Sequence, residues 1–250
     1  MHGLTQEHIQ GGILYTGPRN SANDIPLLAI HGLGGHHKNF SLLHQTLLRN
    51  ELAVWPCYVD LPGYGTSLGE DSGLSNCNLF LSAVYTRLAS MSGKKIILLH
   101  VSASPWFTIQ HHKHVSIHTD FALAVNPVRI PTTRPAILKR VSRGSTVDVR
   151  TDFLASFFSK EQIQKMDRSN LGKPQISIRT IRDLWDLQDR CPFRGWNTIH
   201  LFLSSHDPLA SLRLLPAPPA SIDLHRVKST THGICLETSI NITRQLSKLL

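Results

Sequence analysis

Apolar positions in this chain fall in two patterns. Short unbroken runs, "PLLAI" at 26–30, "LAVWPCYV", "KKIILLH", "FALAV" and "TIHLFL", are apolar on both faces, as strands are when helices cover both sides of a sheet. Between them, "HHKNFSLLHQTLLRN" and "LSNCNLFLSAVYTRLASMSG" carry apolar residues at helical spacing, the second stopping at Gly93. Pro105 suits the first turn of a further helix. "SIDLHRVKS" reads as a last strand, and the later half of "THGICLETSINITRQLSKLL" as a closing helix. Strands that alternate with helices predict the α/β class, with a mostly parallel central sheet and helices on both faces.

The alternation breaks from about Arg129 to Trp196, where no strand pattern is evident and helical pieces such as "VRTDFLASFFSKEQIQKM" and "SIRTIRDLWDLQD" take over. The expected organisation is therefore a core in two parts, 1–128 and 197–250, interrupted by a helical insertion at 129–196. Charge follows the same division. Lys plus Arg number 26 against 17 Asp plus Glu, a net charge of +9, and the insertion holds 14 basic residues against 7 acidic ones. The excess predicts an acidic partner or substrate, but it is interspersed with acids and accompanied by no nucleic-acid-binding motif.

Neither a membrane span nor a secretory leader is expected, because no apolar run approaches the roughly 20 residues a spanning helix needs and "MHGLTQEHIQGG" lacks a basic-then-apolar build. A soluble cytoplasmic protein is the expectation. Cys57, Cys77, Cys191 and Cys235 have no regular spacing, so no disulfide framework or zinc site is signalled.

Candidate chemistry lies at the strand ends, where open parallel sheets deliver functional residues. There stand His31-Gly32-Leu33-Gly34-Gly35, Ser102, Asp207 and, beyond the last strand, His232. A serine hydroxyl becomes a nucleophile at neutral pH when an imidazole takes its proton and a carboxylate orients that imidazole. Each residue also has a plainer use: Ser102 as a helix cap, Asp207 as the start of a turn before Pro208, His232 as one of 15 histidines. Asp120 and Asp223 compete with Asp207 for the carboxylate role.

"LLAIHGLGGHHKNF", "VDLPGYGTS", "IILLHVSASPW", "LFLSSHDPL" and "STTHGICLETS" together resemble the successive landmarks of the α/β-hydrolase superfamily, over nearly the whole chain. The resemblance implies Ser102 as nucleophile, His232 as general base and acid, and Asp207 as its orienting carboxylate. It also implies an oxyanion hole of the backbone amides of Leu33 and Ala103, with no cofactor. His31 would border the substrate. The insertion is similar to the helical cap of small esterases, among them the pimeloyl-acyl-carrier-protein methyl ester esterases of biotin synthesis. By that likeness Arg134, Arg140, Arg143, Arg150, Arg179 and Arg182 would hold an acidic carrier protein; a solvated basic face accounts for them equally. The same triad also serves carbon–carbon bond hydrolases, and the same scaffold also occurs as a non-hydrolytic binding protein.

Two features depart from the pattern or stand outside it. The family's elbow reads G-x-S-x-G, whereas here it reads His100-Val101-Ser102-Ala103-Ser104, with a large residue at the first position. The groups His36-His37 and His111-His112-x-His114 lack metal-ligand spacing and are expected at solvated helix ends.

Overall fold

The computed structural model describes residues 1, 3–67, 73–108, 121–128, 146–148, 175–187, 190, 193, 196–207, 221–229 and 232–250. In chain order the elements are β1 (Thr5–Ile9), β2 (Gly12–Thr16), β3 (Ile25–Ile30), α1 (Ser41–Arg49), β4 (Val54–Asp60), α2 (Leu74–Ser92), β5 (Ile97–Val101) and α3 (Ser104–Phe107). They continue with β6 (Phe121–Val125), β7 (Thr146–Asp148), β8 (Gln175–Ser177), α4 (Ile178–Leu187), β9 (Thr198–Ser204), β10 (Ser221–Val227) and α5 (Leu236–Leu249).

Eight strands form one sheet in the order β1-β2-β4-β3-β5-β6-β9-β10. From β4 to β10 every pairing is parallel, as the doubly apolar runs predict. Successive residues feed opposite layers: Leu28 and Ile30 pack with α2 and α4, while Leu27 and Ala29 pack with α1 and α5. Gly93 closes α2 in left-handed backbone, φ +64°, and returns its N–H to the Ala89 carbonyl.

Two strand pairs were not foreseen, the second against the expectation of no strand in the insertion. The first lies at the N-terminus, where β1 and β2 make an antiparallel hairpin turned by Gln10 and Gly11, both at positive φ. The alternation in "TQEHI" is weak because β1 is an exposed edge strand with no buried face to enforce it. The second concerns the insertion, which contains a two-stranded antiparallel ribbon, Thr146 opposite Ser177. Strands of three residues are too short to display a period of two. The predicted helix at "SIRTIRDLWDLQD" forms as α4, whose Ile178, Ile181, Leu184 and Leu187 face the core. The predicted helix "VRTDFLASFFSKEQIQKM" lies outside the described residues.

No helix among the described residues is long and apolar enough to cross a membrane.

Candidate active site

One wall of the site is built by the segments that leave β3 and β4. His31 ends the apolar run of β3 and is 1% exposed. Its Nδ1–H donates to the Gly32 carbonyl at 2.8 Å, and its Nε2 accepts the Leu61 N–H at 3.2 Å, so the partners dictate the neutral Nδ1–H tautomer. Burial lowers its pKa to about 4, against the opposing pull of the Gly32 carbonyl. A second proton would aim Nε2–H at the Leu61 N–H. Both ring nitrogens are thus committed to backbone, and His31 fastens the glycine loop to the loop after β4.

That second loop, "DLPGYGT", is folded around the carboxylate of Asp60, which has no exposed surface. Oδ1 accepts the His37 backbone N–H at 2.7 Å and faces His37 Nδ1 at 3.0 Å. Oδ2 accepts the Thr66 N–H at 2.9 Å, the Thr66 hydroxyl at 3.0 Å and the Tyr15 hydroxyl at 3.2 Å. Burial alone would raise this carboxyl, but the bonds from His37 and Thr66 outweigh it and hold the pKa well below the usual range. Gly65 sits at φ +56°, where an added Cβ would fall 2.3 Å from the Asp60 carboxylate, so no side chain fits. His37 stacks on Tyr15 at 3.8 Å, and His36 and His37 are each 7% exposed. Those two histidines are therefore core polar groups, not a solvated helix end.

The opposite wall comes from β5, β9 and β10. Ser102 follows β5 and adopts φ +58°, a region a serine rarely enters. Neighbours hold it there: its N–H donates to the Val125 carbonyl at 3.0 Å and its carbonyl accepts the Val128 N–H at 3.1 Å. Ser104 Oγ accepts the Val101 N–H at 2.7 Å, locking the same turn. The glycine loop lies directly against it, since a Cβ on Gly32 would come 2.6 Å from Ser102 Cβ. No hydrogen bond among the described residues uses the amide of Leu33 or of Ala103.

Asp207 leaves β9 with its side chain fully buried, and its Oδ2 meets His232 Nδ1 at 2.5 Å. Asn126, fully buried at the end of β6, binds both arms. Its amide donates to the Ser204 hydroxyl and to the His232 carbonyl, each at 2.9 Å, and its oxygen accepts the Ser204 N–H at 2.8 Å. His232 Nε2 is sequestered from solvent and, among the described residues, makes no hydrogen bond to the partly exposed Ser102 or to any other group. A carboxylate-bonded imidazole with its far nitrogen uncommitted is what proton transfer to a hydroxyl requires. Such serine–histidine bonds are often long without substrate and tighten in the complex.

The model of the alpha/beta hydrolase family matches residues 27–239, from β3 to the start of α5. The chain belongs to that family. This alpha/beta hydrolase is matched by no curated protein. Among solved structures it is similar to a soluble variant of monoglyceride lipase from Saccharomyces cerevisiae, with TM-score 0.69 and 14% identity, covering 98% of this chain and 94% of that one. It is also similar to the monoacylglycerol lipase of Paleococcus ferrophilus, with TM-score 0.65, 15% identity and 98% of both chains covered. A thermophilic esterase from Thermogutta terrifontis gives TM-score 0.63 and 14% identity, covering 98% of this chain and 96% of that one. At these identities the likeness is one of fold.

The remaining predicted residues divide. Arg179 and Arg182 are exposed on α4, while Arg134, Arg140, Arg143 and Arg150 lie outside the described residues, as does Asp120. Asp223 sits on β10 and bonds His200, not His232. His100 is 1% exposed and meets Phe193 edge to face, with 6.1 Å between ring centroids. In this alpha/beta hydrolase the large residue at the elbow is therefore packed toward the α2 and α4 layer, under the turn. Sequence reasoning missed Asn126 and Asp60. The Asn-Pro after "FALAV" and the Asp at the end of "LAVWPCYVD" were their signals, each a polar residue closing a fully apolar strand.

Proposed function

We propose that this alpha/beta hydrolase is a serine enzyme that cleaves a carboxylic ester or thioester through an acyl-enzyme. Ser102 Oγ attacks the carbonyl carbon while His232 Nε2 takes the hydroxyl proton. The leaving alcohol or thiol then takes that proton from His232, and water repeats the sequence to release the acid. Asp207 holds the imidazole tautomer and stabilises its charged form. The amides of Leu33 and Ala103 meet the tetrahedral oxygen, each worth on the order of 3 kcal/mol in such sites.

The observation that carries this reading is the backbone of Ser102, a non-glycine residue held at φ +58° between the glycine loop and the end of β6. Strain of this kind persists where the surroundings over-determine it, and it clusters at active sites. Structural neighbours with lipase and esterase names point to the same chemistry. Turnover of short p-nitrophenyl esters tests it. Ser102→Ala and His232→Ala should each lower kcat by at least about a thousandfold in a folded protein, and undiminished turnover in Ser102→Ala refutes the mechanism.

For the substrate, the exposed Arg179 and Arg182 on α4 and the basic composition of 129–196 favour an acyl group presented on an acidic carrier protein, as its methyl ester. Docking of that kind weakens steeply as salt rises. Binding that ignores salt contradicts the carrier, while leaving the ester chemistry intact.

A further inference from the structure

Away from the candidate active site, β9 and β10 bring a second set of reactive side chains together. In the parallel register His200 stands opposite Asp223, and His225 follows two residues further along β10 on the same face. This face looks toward α1 and α5, and His200 precedes Asp207 by seven residues, roughly 20 Å of strand. Among the described residues, this is the one group of three or more His, Cys, Asp or Glu side chains that offer ligand atoms within 4.8 Å of one another.

Its geometry is not that of a finished hydrogen-bond network. His200 Nδ1 bonds Asp223 Oδ2 at 3.0 Å. His225 Nε2 stands 3.2 Å from the same oxygen and is sequestered from solvent, yet it makes no hydrogen bond among the described residues. Two ligand atoms this close without a hydrogen bond between them leave both free to meet a third atom. The two separations match the edge of a tetrahedron about 3.3 Å long, which metal–ligand bonds of about 2.0–2.1 Å generate.

We propose that His200 Nδ1, Asp223 Oδ2 and His225 Nε2 form a binding site for a divalent transition-metal ion of the zinc class. Two imidazoles with one carboxylate suit Zn2+ and its neighbours Co2+ and Ni2+, whereas Ca2+ and Mg2+ call for sets made of oxygen. Gln245 on α5 lies 3.2 Å from His200 Nδ1, and turning its amide over presents an oxygen to the same point. Asp223 keeps about half of its side chain in solvent, so the ion has a way in. All three ligands sit on the neighbouring strands β9 and β10, and His225 is braced by stacking on Phe202 at 4.6 Å. The ion would clamp the edge strand β10 to β9, the two strands that lead to His232 and Asp207, and takes no part in ester cleavage.

The test uses the full chain, freed of any affinity tag and stripped with a chelator. Co2+ should bind with one strong equivalent and the visible absorption of a four-coordinate site, Zn2+ should displace it, and Zn2+ should raise Tm by several degrees. Asp223→Asn and His225→Phe, the latter keeping a ring on Phe202, should each lose the absorption band and the Tm rise while retaining wild-type ester turnover. Absence of the band in the wild type, or a band and Tm rise unchanged in His225→Phe, overturns the site whatever the outcome for Ser102.

Discussion

The two walls of the candidate site are built from similar residues and solve opposite problems. Around Asp60, every acceptor on the carboxylate is met, His31 spends both ring nitrogens on backbone, and the tautomer has no freedom. Around Ser102, the backbone is forced into a region serine avoids and His232 keeps a buried nitrogen with no partner among the described residues. Satisfied polar networks rigidify a fold, whereas unsatisfied groups cost free energy unless a ligand completes them. Under the proposed function, the contrast teaches that the first wall supplies stability and position, while the second keeps its bonding capacity for a substrate.

Mutation should separate the walls. Asp60→Ala strips partners from His37, Thr66 and Tyr15 at once and should destabilise by about 3–5 kcal/mol, the range for breaking a buried pair. Denaturant unfolding measures it, and a loss under about 1 kcal/mol would mean the network is dispensable. The His31 contribution should appear as acid sensitivity. Because its folded pKa lies near 4, below the ordinary 6.5, the neutral form's stability is complete above pH 6.5 and is lost as pH falls toward 4. The shift corresponds to roughly 3 kcal/mol, and stability measured against pH in wild type and His31→Gln reads it. Asp60 has the same sign for a carboxylate, its share being present above the ordinary Asp range and lost below it. The smallest effect has the opposite direction. Ser102→Gly removes the Cβ strain at φ +58°, so Tm should rise by about 2–4 °C, the equivalent of about 1 kcal/mol, while turnover disappears. A lower Tm would show that the turn is relaxed and that its strain is no argument for chemistry.

Much of this was legible in the chain. Strands buried on both faces announce themselves as unbroken apolar runs, so the parallel core and the strand ends bearing Gly32, Ser102 and Asp207 were readable from pattern alone. The pairing of Asp207 with His232 over Asp223 was readable from the resemblance to the family's landmarks, while the residues alone left Asp223 in competition. The Asp60 network was not, because its donors arrive from Tyr15, His37 and Thr66, far apart in sequence and joined by the pairing of β4 with β2 on one side and β3 on the other. Histidine doublets look like surface residues until a buried carboxylate is placed beside one of them. The β7–β8 ribbon stayed hidden because three residues cannot show a period, and His200, Asp223 and His225 because two of them meet the third across a strand pair.

The most direct test of the account is covalent labelling of the full chain with a fluorophosphonate, located by peptide mass spectrometry. The account predicts one phosphonylated residue, Ser102, with labelling abolished in His232→Ala and retained in Asp223→Asn. A folded protein that takes no label, or takes it at another serine, would contradict the assignment of Ser102 and remove this chemistry from the site.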